Sequence, residues 1–168
     1  MKKFIAAAIA ATGLAITPAA AQDESPFVEF RVLTPEFALK AAEAALQFCR
    51  DAGYQVGVTV VDRAGNPQVF IRDRFAGPHV YETAYRKAWT AVSFGISTGE
   101  LAEATRPGEP TQAIRHLETA LPLGGGLEIE AGDGSTVGGI GVSGAPSPDL
   151  DADCARKGIE AIEFDIAF

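Results

Sequence analysis

Leu121-Pro-Leu-Gly-Gly-Gly-Leu-Glu-Ile-Glu-Ala-Gly-Asp-Gly-Ser-Thr-Val-Gly-Gly-Ile-Gly-Val-Ser-Gly-Ala-Pro146 is the stretch that decides between two architectures. Within it, Gly139-Ile-Gly141-Val-Ser-Gly144 matches G-x-G-x-x-G, the turn that lays a dinucleotide pyrophosphate on a helix N-terminus. That fingerprint needs a helix directly behind it and then a second parallel strand ending in an acid. Ala145-Pro-Ser-Pro148 interrupts the run, and the residues through Phe168 read as one further helix without such a strand. No glycine is followed by Lys and Ser or Thr at the spacing of a phosphate loop. The alternative is a hairpin: a strand near Leu127 to Glu130, a turn at Ala131-Gly-Asp-Gly134, and a strand from Thr136 to Val142. Glycines 138, 139, 141 and 144 would then let another backbone or a flat ligand approach the sheet closely.

Upstream, Thr34-Pro35-Glu36 supplies an N-cap, an N1 proline and an early acid. Apolar residues recur at Phe37, Ala41, Ala44, Ala45 and Phe48, so an amphipathic helix is expected, closed by Gly53. Tyr54 to Val61 is largely apolar and β-branched, Asp62 to Asn66 makes a turn, and Pro67 to Arg72 runs extended: a first hairpin. Pro78 to Phe94 returns to helical period and stops at Gly95. Ser97-Thr-Gly-Glu100 resembles a capping box that opens a short helix through Ala104. Thr111 to Thr119 reads as another short helix, Leu121 to Leu123 as a short segment before the second hairpin. A last helix begins near Ser147-Pro148 and carries Leu150, Cys154, Ile159, Ile162 and Phe164. Hairpins enforce antiparallel pairing and the helices cover the sheet, so the class is α+β.

At the N-terminus, Met1-Lys-Lys3, the apolar run Phe4 to Ile16 and Ala19-Ala-Ala21 read as a secretory signal peptide over 1–21. The apolar run is shorter than the roughly 20 residues of a membrane span. Residues 22–32 read as a flexible leader and 33–168 as a single domain. The chain carries 14 Lys and Arg against 22 Asp and Glu, a net charge of −8. Cleavage after Ala21 removes two lysines and no acid, which takes the balance to −10. So acidic a protein lacks the basic footprint that nucleic acid or an anionic membrane requires. It is expected to be periplasmic or secreted, with no membrane span after cleavage. In such a compartment Cys49 and Cys154 either form a disulfide or stay as two buried thiols. If bridged, the loop of about 105 residues is worth about 4–5 kcal/mol on the chain-entropy model.

Little is available for chemistry. The processed chain has no methionine, and His79 and His116 are its two histidines. His79 opens the central helix, with Thr83, Arg86, Thr90 and Ser93 continuing a polar side, and Val80, Tyr81, Tyr85 and Val92 opposite. It reads either as a surface residue or as an axial metal ligand or acid/base group. His116 reads as solvated or partner-facing. No serine elbow, cysteine nucleophile or zinc-type cysteine spacing is present. Asp149, Asp151 and Asp153 open the last helix, where acids suit the helix dipole. Arg63, Arg72, Arg74, Arg86, Lys87, Arg106 and Arg115 cluster in sequence, which fits either ordinary surface pairing or a small anionic ligand.

Five ordered motifs are similar to those of the GlcG/HbpS-type haem-binding family. They are Val58-Thr-Val-Val-Asp-Arg-Ala-Gly65, Gly77-Pro-His79, Arg86-Lys-Ala-Trp-Thr-Ala-Val-Ser-Phe94, Leu121-Pro-Leu-Gly-Gly-Gly126 and Val137 to Ala145, with Asp153-Cys-Ala-Arg-Lys-Gly-Ile159 resembling the closing helix. The resemblance, which runs from about Leu33 to Ile166, implies a profilin-like arrangement with a five-stranded antiparallel sheet between helical layers. It also implies homo-oligomers and haem as cofactor, and it extends to the C-terminal domain of certain corrinoid adenosyltransferases. Carried onto this chain, it points to His79 as metal ligand, with Tyr81, Tyr85 or Thr90 as the other choices. Arg86 or Lys87 would neutralise a propionate, and Tyr85, Trp89 and Phe94 would form an apolar wall. The family label includes haem degradation, yet no catalytic constellation supports turnover. Three functions follow: exported haem sequestration, transport or sensing; an enzyme or accessory subunit for a small organic acid such as glycolate, with Arg86 and Arg115 as carboxylate clamps; or an oligomeric interaction module.

Overall fold

A computed structural model describes residues 26–168; the expected signal peptide and the first residues of the expected leader lie outside the described residues. Helices α1 (Pro35–Asp51), α2 (Val80–Phe94), α3 (Thr98–Ala104) and α4 (Pro148–Glu160) alternate with strands β1 (Gly57–Asp62), β2 (Pro67–Arg72), β3 (Gly126–Glu130) and β4 (Thr136–Ser143). The two hairpins join through β1 and β4, giving an antiparallel sheet of order β2-β1-β4-β3. The class is therefore α+β, as the hairpin reading of the glycine stretch requires. Where the family resemblance implies five strands, four pair among the described residues. Residues 27–33 belong to no helix or strand, and Leu33 N–H bonds to the carbonyl of Val137 without forming a ladder. A second difference lies at Thr111 to Thr119, where only a 3-10 turn forms over Gln112–His116. None of its residues is buried, so no tertiary packing extends the turn into an α-helix.

Helices cover both faces of the sheet. Val58, Val60, Ile140 and Val142 pack with the alanine stripe of α1 (Ala38, Ala41, Ala42, Ala45) and with Cys154 and Ala155 of α4. On the other face α2 lies directly on the glycines of β4. A Cβ at Gly141 would fall on the carbonyl of Ala84, and one at Gly139 would sit 2.6 Å from Val92 Cγ1 and 3.0 Å from the Ala88 carbonyl. The backbone of α2 therefore occupies the space that side chains would fill on an ordinary strand. Its buried residues are Val80, Ala84, Lys87, Ala88, Thr90 and Ala91, so a lysine and a threonine stand among small apolar side chains. This corrects the expected apolar side: Tyr81 stands 63% exposed, and the buried side is turned toward the alanines.

Local signals set the boundaries. Ser97 and Glu100 form the capping box of α3, with each side chain bonded to the other's backbone N–H. Ser147 accepts from Leu150 N–H at the start of α4, and Pro148 occupies its first turn. Cys49 and Cys154 form a disulfide that joins α1 to α4. Asp73, just past β2, is buried and bonded at 2.9 Å to Arg50 Nε of α1. That hydrogen bond from Arg50, against the cost of burial, holds the Asp73 carboxyl below its ordinary value, with the Arg74 N–H helping.

Four outcomes check this packing. Gly141→Ala should destabilise the fold by at least ~2 kcal/mol in chemical denaturation, because the added methyl meets main chain that cannot yield. Gly99→Ala, in α3, where a Cβ meets nothing closer than 3.9 Å, should be neutral or stabilising. Replacing both cysteines by serine should cost about 2–5 kcal/mol. Because the Asp73 carboxyl is depressed in the fold, its contribution is present above the carboxyl's unfolded pKa and is lost as pH falls through the folded value. Asp73→Asn should lower stability at neutral pH and flatten the acid limb of a stability–pH profile.

Candidate functional site

The start of α2 sorts the expected site residues into separate environments. His79, Thr83 and Lys87 are spaced by four and share one row. They line a cleft of about 250 Å³ whose far wall is Ser143 through Pro148, together with Leu123 and Asp151. His79 is the exposed N-cap residue of α2, its ring folded over Gly77, where a Cβ would lie 2.7 Å from Nδ1. Thr83 Oγ1 donates to the carbonyl of His79 (2.9 Å) and shares a hydrogen bond with Ser143 Oγ (2.7 Å). That contact ties the helix start to the end of β4. The imidazole itself makes no hydrogen bond among the described residues; its Nδ1–Cε1 edge packs on Gly77, and Nε2 lies on the side away from it.

At the floor of the cleft lies an ion pair. Lys87, 1% exposed, donates from Nζ to Asp151 Oδ2 (2.8 Å) and to the carbonyl of Val142 (2.9 Å). Asp151 Oδ1 accepts the Ala145 N–H at 2.9 Å. Burial pushes the Lys87 ammonium below its ordinary value and the Asp151 carboxyl above its own, while their mutual attraction opposes both shifts. The pair locks α2, the end of β4 and the first turn of α4 together.

The remaining expected residues do structural work elsewhere. Arg86 donates to the carbonyls of Thr119 (3.2 Å) and Ala120 (2.9 Å). Thr90 is fully buried and accepts the Leu121 N–H at 2.8 Å, so neither hydroxyl nor guanidinium faces the cleft. Trp89 packs over the turn at Gly65, where a Cβ would lie 2.6 Å from its ring. Tyr85 lines a second cavity, with Thr59, Pro67, Phe70 and Tyr81, around the helix from His79. Arg115 is likewise engaged, with the carbonyls of Thr105 (2.6 Å) and Ala102 (2.8 Å). His116 is exposed on the 3-10 turn. Of the named site residues, His79 and Lys87 meet in one cleft; Tyr85, Arg86, Trp89 and Thr90 are not brought to it.

Asp151, Thr83 and Ser143 were missed by sequence reasoning as parts of one cleft. A signal did exist for Asp151. Lys87 sits on the stripe of Ala84, Ala88 and Ala91, and a lysine on a buried stripe calls for a buried acid. The three aspartates at the start of α4 looked alike from the sequence, and helix-dipole reasoning applied to all of them equally. No cluster of three or more His, Cys, Asp or Glu side chains placed to hold a metal ion occurs among the described residues.

Lys87→Met should strip Asp151 of its counter-charge and cost about 3–5 kcal/mol, whereas Lys87→Met combined with Asp151→Leu should recover at least half of that loss. Urea denaturation of the two variants measures the difference.

A family model described as haem-degrading, HbpS-like protein matches residues 33–160. HbpS of Streptomyces reticuli, solved as a double Glu→Asp mutant, is 41% identical with a TM-score of 0.77, over 88% of this chain and 98% of that one. The solved complex of PduOC with haem is 31% identical with a TM-score of 0.72, over 78% of this chain and 95% of that one. Corrinoid adenosyltransferase PduO of Salmonella typhimurium is 35% identical over 121 residues, 71% of this chain. The chain spans about a third of the length of that curated relative, 35%. The match to the family model covers the whole sheet and all four helices, and the chain belongs to the HbpS-like family.

Proposed function

We propose that this protein binds haem, and that His79 supplies the iron ligand. The observation that carries this reading is an exposed imidazole, free of hydrogen bonds, at the mouth of a cleft, in a family that includes a relative solved with haem. Leu123, Pro146 and Pro148 offer apolar surface beside it. At about 250 Å³ the cleft is too small to enclose a macrocycle, so the ring would lie across its mouth. Bound haem would supply an iron centre open to ligand exchange or electron transfer. Lys87 stays with Asp151 in this reading and does not serve a propionate.

Export and self-association belong to the same proposal. The Met1 to Ala21 signal pattern supports a periplasmic or secreted location, and the disulfide suits an oxidising compartment. Exposed Val28, Phe30, Val32, Phe75 and Phe164 supply apolar surface that a homo-oligomer would cover. The role would be haem sequestration, transport or sensing. A small-organic-acid enzyme has less support, because Arg86 and Arg115, the two clamps it would use, are both bonded to main-chain carbonyls.

Titrating the protein from Gln22 onward with haemin should produce a saturable, shifted Soret band. His79→Ala should weaken and displace that band, and His116→Ala should leave it in place. Absorbance identical to free haemin at every ratio would overturn the proposal.

A further inference from the structure

The second cavity on α2 belongs to no part of the haem reading. It measures about 250 Å³ and lies between α2 and the β1–β2 hairpin, walled by Pro67, Phe70, Tyr81 and Tyr85 with Thr59 at its base. Phe70 and Tyr81 meet edge to face, ring centroids 4.9 Å apart and planes at 86°. That fixes two walls as flat surfaces at right angles. No charged side chain lines the cavity.

Thr59 makes this more than an apolar recess. It pairs with Phe70 on one side and Gly141 on the other, so it sits in the middle of the sheet on the α2 face. It is 1% exposed, and its hydroxyl has no hydrogen-bond partner. A buried hydroxyl left unpaired costs free energy that a valine of the same shape would not, so its presence calls for a partner that the chain does not supply.

We propose that this cavity is a binding site for a neutral, single-ring aromatic molecule carrying a hydroxyl group. The ring would lie against Tyr85 and the Phe70–Tyr81 corner, and its hydroxyl would pair with Thr59 Oγ1. Neutrality follows from the absence of any charge in the lining, and the single ring from a volume below the ~300–1,000 Å³ of pockets that take drug-sized ligands. Tyr81, exposed at the mouth, is the wall that a ligand passes on entry.

The test is a titration of the folded protein with phenol, with toluene as the ring lacking the hydroxyl, followed by amide chemical shifts. Phenol should give saturable shifts at Thr59, Phe70, Tyr81 and Tyr85. Thr59→Val should weaken phenol by roughly tenfold and leave toluene unchanged, and without ligand it should melt no lower than the parent. Tyr81→Ala, an exposed change that the fold tolerates, should weaken both probes. Phenol shifts should persist in protein already saturated with haemin, which separates this site from the His79 cleft. Absence of saturable phenol shifts, equal phenol affinity in Thr59→Val, or displacement of phenol by haemin would each overturn the proposal. Failure of haemin to bind at all would leave the phenol result standing on its own.

Discussion

The close approach of α2 to β4 is the constraint on which the rest of this structure depends. Glycines at 139 and 141 remove the side chains that would hold a helix away from the sheet, and Ala84 and Ala88 present the small surface that fits there. Once α2 lies that low, its two flanks meet different surroundings. One flank, carrying His79, Thr83 and Lys87, faces the loop that leads from β4 into α4. The other, carrying Tyr81 and Tyr85, overhangs the first hairpin. Both cavities are consequences of where the helix rests.

The Lys87–Asp151 pair fixes the position along the helix as the glycines fix its height. A buried pair adds little net stability compared with apolar residues of the same volume, but either partner alone is costly. Its geometry therefore selects one register: Nζ must reach both Asp151 and the carbonyl of Val142, while Oδ1 holds Ala145 N–H. That register sets the loop Gly144 to Pro148 against His79, and the cleft takes its shape from it. The disulfide then ties α4, which carries Asp151, to α1, its neighbour on the sheet face opposite α2.

Much of the fold was legible in the sequence because its signals are local. Pro35, Gly95, the Ser97–Glu100 capping box and the Asp62 turn mark element ends within a few residues, and the glycine stretch read as a hairpin pairs as one. The site was legible in part. His79 stands where a ligand residue could, but the motif Arg86-Lys-Ala-Trp-Thr90 proved to hold the chain together. Arg86 and Thr90 bond the segment 119–121, Lys87 pairs with Asp151, and Trp89 covers the turn at Gly65. A cation next to an aromatic looks the same in sequence whether it faces a ligand or a carbonyl. What separates the cases is a partner more than 30 residues away, which local patterns do not encode.

The most direct measurement is low-temperature electron paramagnetic resonance of the ferric haem complex, comparing the parent protein with His79→Ala and His116→Ala. A single open imidazole on α2 predicts that nitrogen ligation is present in the parent and in His116→Ala and is lost in His79→Ala. An unchanged spectrum in His79→Ala would contradict it.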